Sequence, residues 1–315
     1  LAFYNNITRN QILDVPMDQT TGYTKATMNS GKVRNRGIEL QLDGTPVKTK
    51  NFTWNSTFTW AKNYNKVLSL AAGLTDGQTI AYTGGTNCAL IAKVGGSIGD
   101  IYGYKLKRAP DGQVVWKDGI TARTTEFEYV GNAYPAWKAG FSNEFSYKNF
   151  RVSILFDGQW GGIVYSQTHH KMTEHGTLKH TLKYRENPNF EVVGEGVMLD
   201  ERGQYVPNNV PISVSKYYAD YWRRANVETN SFDASFLKLR EARIEYTIPS
   251  AGLNKIGIER LTLALYGRNL AMWTKDFPVY DPEVATLNNG TIVPGSEMGQ
   301  LPSTRTMGFN LTLKF

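Results

Sequence analysis

One cysteine, Cys88, stands in 315 residues. A lone thiol excludes an internal disulfide, a dithiol redox pair and a thiolate zinc site. No apolar run approaches the roughly 18 residues that a membrane helix needs. Mean hydropathy is −0.40, an average that misleads for a sheet whose apolar and polar residues alternate. Basic residues exceed acidic ones, 35 against 28, for a net charge of +7. They are scattered, and the densest clusters are only "VKTKN" and "YWRRA". No basic arm for nucleic acid is built this way, and nucleic acid is not an expected partner. Lining a water-filled lumen, or meeting anionic lipid headgroups, is the expected use of the excess. G-x-S-x-G, H-E-x-x-H and phosphate-loop patterns are missing. The glycines of "YTGGTN" (82–87) lead into no helix. No catalytic residue and no cofactor is expected. A secretory leader is also missing, and the chain opens on Leu1 in strand-like sequence. It is expected to be a piece of a longer polypeptide or a processed product.

Aromatics are plentiful, 12% of the chain with 18 Tyr and 7 Trp, and they follow parity. In 52–66, "FTWNSTFTWAKNYNK", the even positions carry Phe52, Trp54, Phe58, Trp60 and Tyr64, while the odd ones are Thr, Asn and Ala. In 136–147 the odd positions hold Trp137, Phe141, Phe145 and Tyr147. In 150–163 one face holds Phe150, Val152, Ile154, Phe156 and Trp160, the other Arg151, Ser153, Asp157 and Gln159. Segments 33–45, 259–270 and 304–315 alternate likewise, the last as Met307, Phe309, Leu311, Leu313 and Phe315. Period two over 10–15 residues predicts strands of about twice the usual length. Such strands suit a tilted membrane crossing of about 9–11 residues. Segment 234–247 changes parity between Leu239 and Ala242, which predicts a β-bulge. Segment 1–13 reads as a strand. Segments 98–107 and 113–118 read as a hairpin inside a loop.

Connections alternate in length. Those at 44–51, 148–149 and 248–258 are short; those at 14–32, 66–97, 164–233 and 271–303 are long. Transmembrane barrels pair short periplasmic turns with long extracellular loops. A sandwich or solenoid would alternate too, but favours shorter strands and does not confine long loops to one end. Tyr4, Trp54, Tyr64, Trp137, Tyr147 and Trp160 lie near strand ends, as interfacial girdles do. The expected fold is all-β, a transmembrane antiparallel barrel wall of eight to ten strands, with the last strand entering from outside. A closed barrel has no free edge, so its final strand must pair. Ending on Phe315 resembles the insertion signal of outer-membrane barrels.

Five stretches in series resemble the C-terminal part of the SusC/RagA family of TonB-dependent outer-membrane transporters. They are "NSGKVRNRGIELQL" (29–42), "VGNAYPAWKAGFSNEFSYKNFRVSILFDGQWGG" (130–162), "SFLKLREARIEYTIP" (235–249), "LYGRNLAMWTKDFPVYDPEV" (265–284) and "GQLPSTRTMGFNLTLKF" (299–315). The resemblance implies a 22-strand barrel of Bacteroidota, of which residues 1–315 would be the C-terminal wall. Its plug and N-terminal domains would lie outside this chain. It implies a nutrient importer for oligosaccharides or oligopeptides in the bacterial outer membrane. Its partners would be a SusD-like surface lipoprotein, TonB acting through the plug, and outer-membrane lipid. The alternative is a small stand-alone barrel, a porin or an adhesin.

Candidate contacts follow from the loops. Sugar rings stack on aromatic faces, and Trp116, Tyr165, Tyr217, Tyr218, Tyr221, Trp222, Trp273 and Tyr280 lie in or beside the long loops. Of these, Trp116, Tyr165, Tyr221, Trp222, Trp273 and Tyr280 are the candidate substrate contacts, with girdle, loop packing and lid contact as the alternative uses of each. "VSKYYADYWRRAN" (214–226) is the richest patch and is expected to include a short helix. All four histidines, His169, His170, His175 and His180, fall in one stretch with Glu174. That is a donor set for zinc, nickel or copper, although the spacing matches no closed site, and no metal is expected. Asp276, Asp281 and Glu283 resemble a hydrolase carboxylate set, but nothing else supplies a reaction. The family resemblance makes them residues that order the "YDPEV" loop.

Overall fold

The computed structural model describes residues 1–10, 12–16, 19–23, 25–29, 31–70, 77–83, 86–249, 257–288 and 291–315. Parts of the connections at 14–32, 66–97, 248–258 and 271–303, and the middle of "YTGGTN", lie outside the described residues. Eight long strands form one sheet. They are β1 (Ala2–Arg9), β2 (Lys32–Lys48), β3 (Phe52–Ser69), β4 (Trp137–Tyr147), β5 (Phe150–Trp160), β6 (Phe236–Ile248), β7 (Arg260–Thr274) and β8 (Thr306–Lys314). Each pairs antiparallel with its neighbours in sequence, giving a simple meander with β1 and β8 at its ends. β2 and β3 run longer than the alternation predicts, 17 and 18 residues, so the turn between them shrinks to 49–51. β4 and β5 meet in a two-residue hairpin at Lys148–Asn149, with Lys148 left-handed at φ 52°.

Register gathers the parities onto two faces. Leu40 lies opposite Trp60, Phe58 opposite Phe141, Phe141 opposite Phe156, and Ile244 opposite Leu265, which lies opposite Phe309. Every one of these is apolar. The other face carries Glu39, Gln41, Asp43, Glu144, Arg151, Asp157, Arg243, Glu245 and Arg268. Arg268 pairs with Glu241, and Arg243 with Glu245. The bulge at 239–241 keeps the faces sorted. Lys238 precedes it and Glu241, Arg243 and Glu245 follow it; without the extra residue, opposite parities would send them to opposite faces. β7 answers with its own irregularity at Asn269, left-handed at φ 51°, a conformation that asparagine tolerates.

The apolar face is bare: Phe309 is 79% exposed, Leu265 68% and Ile244 54%. It ends in aromatic pairs. Trp137 stacks on Trp160 at 6.4 Å near the long-loop end, and Phe150 meets Tyr246 at 4.5 Å at the turn end. The eleven residues from Trp160 back to Phe150 span ten steps, roughly 33 Å of strand, or about 25 Å in height at a barrel's tilt, the width of a lipid-facing band. Tyr4 departs from the girdle expectation. It stands on the polar face, where its hydroxyl donates to Asn63 Oδ1 at 3.1 Å.

The buried clusters all lie among the connections, not against the sheet's apolar face. The long loops fold into a layer with its own small sheets. Gln78–Thr83, Cys88–Ala92, Asp100–Gly103 and Glu128–Asn132 form one; Ile120–Thr121, Val115–Lys117, Val197–Leu199 and Tyr205–Pro207 form another. Segment 98–107 therefore pairs with Cys88–Ala92 and Glu128–Asn132. Just beyond it the chain turns back on the 113–118 region, with Arg108 bridging Val114, Ala109 N bonding Gln113 O and Val115 N bonding Lys107 O, so the expected hairpin is confined to this short turn. Helices α1 (Gln167–Glu174) and α2 (Val214–Tyr221) complete the layer. Among the described residues no helix is long and apolar enough to cross a membrane.

Candidate functional site

The loop layer is fastened to the polar face of the sheet, and the fastening is ionic. Lys238 of β6 is 1% exposed. Its Nζ donates to both Asp281 carboxylate oxygens, at 2.8 and 2.9 Å, and also to Glu283. Arg240, two residues on, holds Asp157 of β5 at 2.6 and 2.8 Å and Glu283 at 2.9 and 3.0 Å. Ser303 also donates to Asp281. Burial alone would raise the Asp281 carboxyl; the bonds from Lys238 and Ser303 outweigh it and hold the group below its ordinary value. Burial likewise opposes ionisation of Glu283, and Arg240 and Lys238 together win. Asp281 and Glu283 thus order "YDPEV" by binding the wall; Asp276 takes no part in this network. Beside it the polar face holds a hollow of about 580 Å³ lined in part by Glu39, Lys138, Asp157, Gln159 and Glu283.

A second anchor ties two loops together. Glu297 is fully buried. It accepts from Ser166 Oγ, Thr168 Oγ1, Tyr280 Oη at 2.6 Å and Gly299 N at 2.6 Å. Ser166 is also the N-cap of α1, accepting from His169 N. Asp220 of α2 plays the same part on the other side, accepting from Thr121 N at 2.7 Å and Thr121 Oγ1 at 2.8 Å. Neither Lys238 nor Glu297 stood out in the sequence. The one local signal for Lys238 was the parity break just after it.

The candidate aromatics divide by environment. Trp116 is 2% exposed, its indole stacked against both Tyr217 and Tyr221, which also stack on each other, and its Nε1 donating to Glu195 O. Tyr165 is fully buried beside Cys88 and Ile101. Both therefore build the loop core, and neither offers a free ring face. Tyr221 and Trp222 are half-buried against that core. Trp273 stands exposed on the apolar face of β7, at the end of the strand. The Tyr280 hydroxyl is engaged by Glu297 and by Gln300 O, and burial followed by the Glu297 bond pushes its pKa up to about 12.

His169, His170 and His180 hold the layer from inside, while His175 lies exposed at the C-cap of α1. His169 Nδ1 bonds Asn230 Oδ1 at 2.9 Å, and His170 Nδ1 bonds Trp222 O at 2.8 Å. His180 Nε2 lies 3.2 Å from Thr173 Oγ1, and its ring stacks near His169 at 5.3 Å. Among the described residues no group of three or more His, Cys, Asp or Glu is arranged to hold a metal ion. Burial pulls His169 down to about 4 and lowers His170 and His180 as well. Their folded pKa values lie below the unfolded ones, so unfolding takes up protons as pH falls. The stabilisation is full above about pH 6.5 and is lost as pH falls toward 4. Hydrogen-exchange protection factors at residues 166–182, taken relative to the intrinsic rate at each pH, should therefore fall between pH 6.5 and 4.5, and His169→Gln should flatten that dependence.

The sheet and its anchors define a wall with reversed polarity, its loops fastened to the charged side and its apolar side bare. No family model matches the chain. Among curated proteins, TonB-dependent receptor P26 of Formosa agariphila is 29% identical over 345 residues, covering 100% of this chain and 32% of that protein. TonB-dependent receptor SusC of Bacteroides thetaiotaomicron is 26% identical over 151 residues, 44% of this chain and 15% of that one. Among solved structures, the RagAB peptide transporter superposes with a TM-score of 0.68 at 20% identity, covering 99% of this chain and 33% of that chain. The chain is thus a homologue of TonB-dependent receptors and matches the SusC/RagA type. It spans about a third of the length of the curated relatives it matches from end to end.

Proposed function

We propose that residues 1–315 form the C-terminal wall and mouth of an outer-membrane TonB-dependent importer, a closed barrel of 22 strands in the complete protein. The observation that carries this reading is the reversed polarity. Each large apolar side chain left in water forgoes about 1.5–3 kcal/mol, and this sheet leaves more than a dozen exposed on its apolar side while its loops are fastened to the charged side. Lipid against the apolar face removes that cost. Because β1 and β8 each have one neighbour in the meander, barrel closure calls on strands beyond this chain; an edge unpaired in lipid costs several kcal/mol per backbone group. Long loops would then face outward, with Phe315 at the periplasmic end as the insertion signal. The loops would meet a SusD-like lipoprotein, and TonB would act through a plug. The likeness to RagAB makes oligopeptides the first cargo to test, with oligosaccharides second. Half-buried Tyr221 and Trp222 are the candidate aromatic contacts that retain partly open rings.

A photo-cross-linking residue placed at Leu199 or Tyr205 of the complete receptor, in intact cells, should capture a surface lipoprotein. The same cells should take up fluorescent oligopeptides or oligosaccharides only while TonB is present. Cross-links reaching periplasmic proteins alone, or TonB-independent uptake, would sink the proposal.

A further inference from the structure

We infer that a hollow in the loop layer, backed by Lys105 and Lys107, is a subsite for an anionic group of the cargo. This rests on the importer reading above. The hollow measures about 690 Å³, within the range of ligand pockets. It sits over the long-loop ends of β5 and β6, because Ile163 lies three residues beyond Trp160 and Asp233 three before Phe236. One wall is the run 105–108. Leu106 is buried in the aromatic core with Trp116, so the alternation of an extended segment turns Lys105 and Lys107 to the other side. Backbone bonds from Thr124 N to Lys105 O and from Lys107 N to Ala122 O hold that wall rigid. Ile163 and Phe232 supply an apolar surface.

The charges around the hollow are unevenly spent. Arg108 is paired with Glu228, whose other carboxylate oxygen accepts from Leu106 N at 3.2 Å. Asp233 is paired with Lys275 at 2.6 Å. The neutral groups are also engaged: Ser231 Oγ donates to Val227 O and Thr124 Oγ1 to Glu126 O. Among the described residues neither Lys105 nor Lys107 has an ion-pair partner, and Glu128 is the one lining carboxylate likewise without one. Two ammonium groups against one carboxylate leave the site net positive, with the positive charge on one wall. A carboxylate or sulfate docked there gains charge-assisted hydrogen bonds that no neutral ligand offers. The flexible lysine stems place point charges without demanding one anion shape. The anion could be a sugar acid or an acidic peptide side chain; the chemistry of recognition is shared.

The test uses the complete receptor in detergent, with folding checked by its heat-modifiable gel band. One arm compares tetragalacturonate with neutral galactotetraose; the other compares a hexapeptide rich in Asp and Glu with its Asn and Gln analogue. In one arm the anionic member should bind about tenfold more tightly at low salt, the scale of one or two hydrogen bonds to a charged group. Lys105→Gln with Lys107→Gln should erase that preference, and Lys105→Arg with Lys107→Arg should keep it. No preference in either arm, or a preference that survives the double glutamine variant, overturns the subsite. Anion-selective binding without TonB-dependent uptake would instead overturn the importer reading and leave the subsite standing.

Discussion

Lys238→Met should free the loop around "YDPEV" from the wall while leaving the strands paired. The lysine is enclosed, and its two carboxylate partners come from a loop more than forty residues away in sequence. Removing the cation leaves Asp281 buried and charged with only Ser303 and the Glu283 amide to solvate it. Breaking one side of a buried pair in this way typically costs about 3–5 kcal/mol. Arg240 retains Asp157 and part of Glu283, so the loss should concentrate on Asp281. Hydrogen exchange in 277–285 should rise strongly, and limited proteolysis should cut there first. Combining Lys238→Met with Asp281→Asn should recover part of the loss, since the stranded charge is gone; the double-mutant cycle then isolates the pair. If exchange in the loop is unchanged in the single variant, the ionic fastening is not what holds it. The freed loop borders the hollow that holds Glu39 and Lys138.

What could be read in advance was whatever repeats over short distances. Alternation located β3, β4, β5 and β7, and the broken parity at 239–242 located the bulge. The aromatic run at 214–221 announced α2, whose Tyr217 and Tyr218 face the core. Contacts between distant segments left no such trace. Lys238 and Asp281 are 43 positions apart, and Ser166 and Glu297 are 131 apart. The loop sheets use strands of two to six residues, too short for a period to show. That is why the sequence left Trp116 and Tyr165 open between substrate contact and loop packing. Aromatics in long connections present themselves to ligand only if the connection has no core, and these connections have several. Trp273 misled for a different reason. Its odd number continues the parity of Leu261, Leu263 and Leu265, but two extra residues at the Asn269 irregularity lengthen β7, so what looked like loop is still strand.

The two faces make opposite demands on one substitution at neighbouring positions, and that contrast is the most direct measure of the wall. Ile154 lies on the apolar face of β5, six residues from Trp160 and four from Phe150, opposite Asn143 and Ala242. Ser153 lies on the polar face, opposite Glu144 and Arg243. An arginine at 154 would place its charge near the middle of the apolar band, where the cost in a barrel is roughly 2–4 kcal/mol. The nearby Asn143 gives little relief, because its Oδ1 already accepts from Trp54 Nε1 at 2.9 Å and one neutral amide cannot satisfy the five donors of a guanidinium. An arginine at 153 would enter a face where Glu144, Arg151, Arg243 and Glu245 already meet water and one another, and should cost under about 1 kcal/mol, as exposed charge contacts do. Urea unfolding of the complete receptor in lipid vesicles, followed by loss of the heat-modifiable band, reads both. A lower midpoint for Ile154→Arg with Ser153→Arg close to the unsubstituted protein is the expected result. Equal effects at the two positions would mean that neither face meets lipid, and a larger loss at Ser153 would mean that the wall faces the other way.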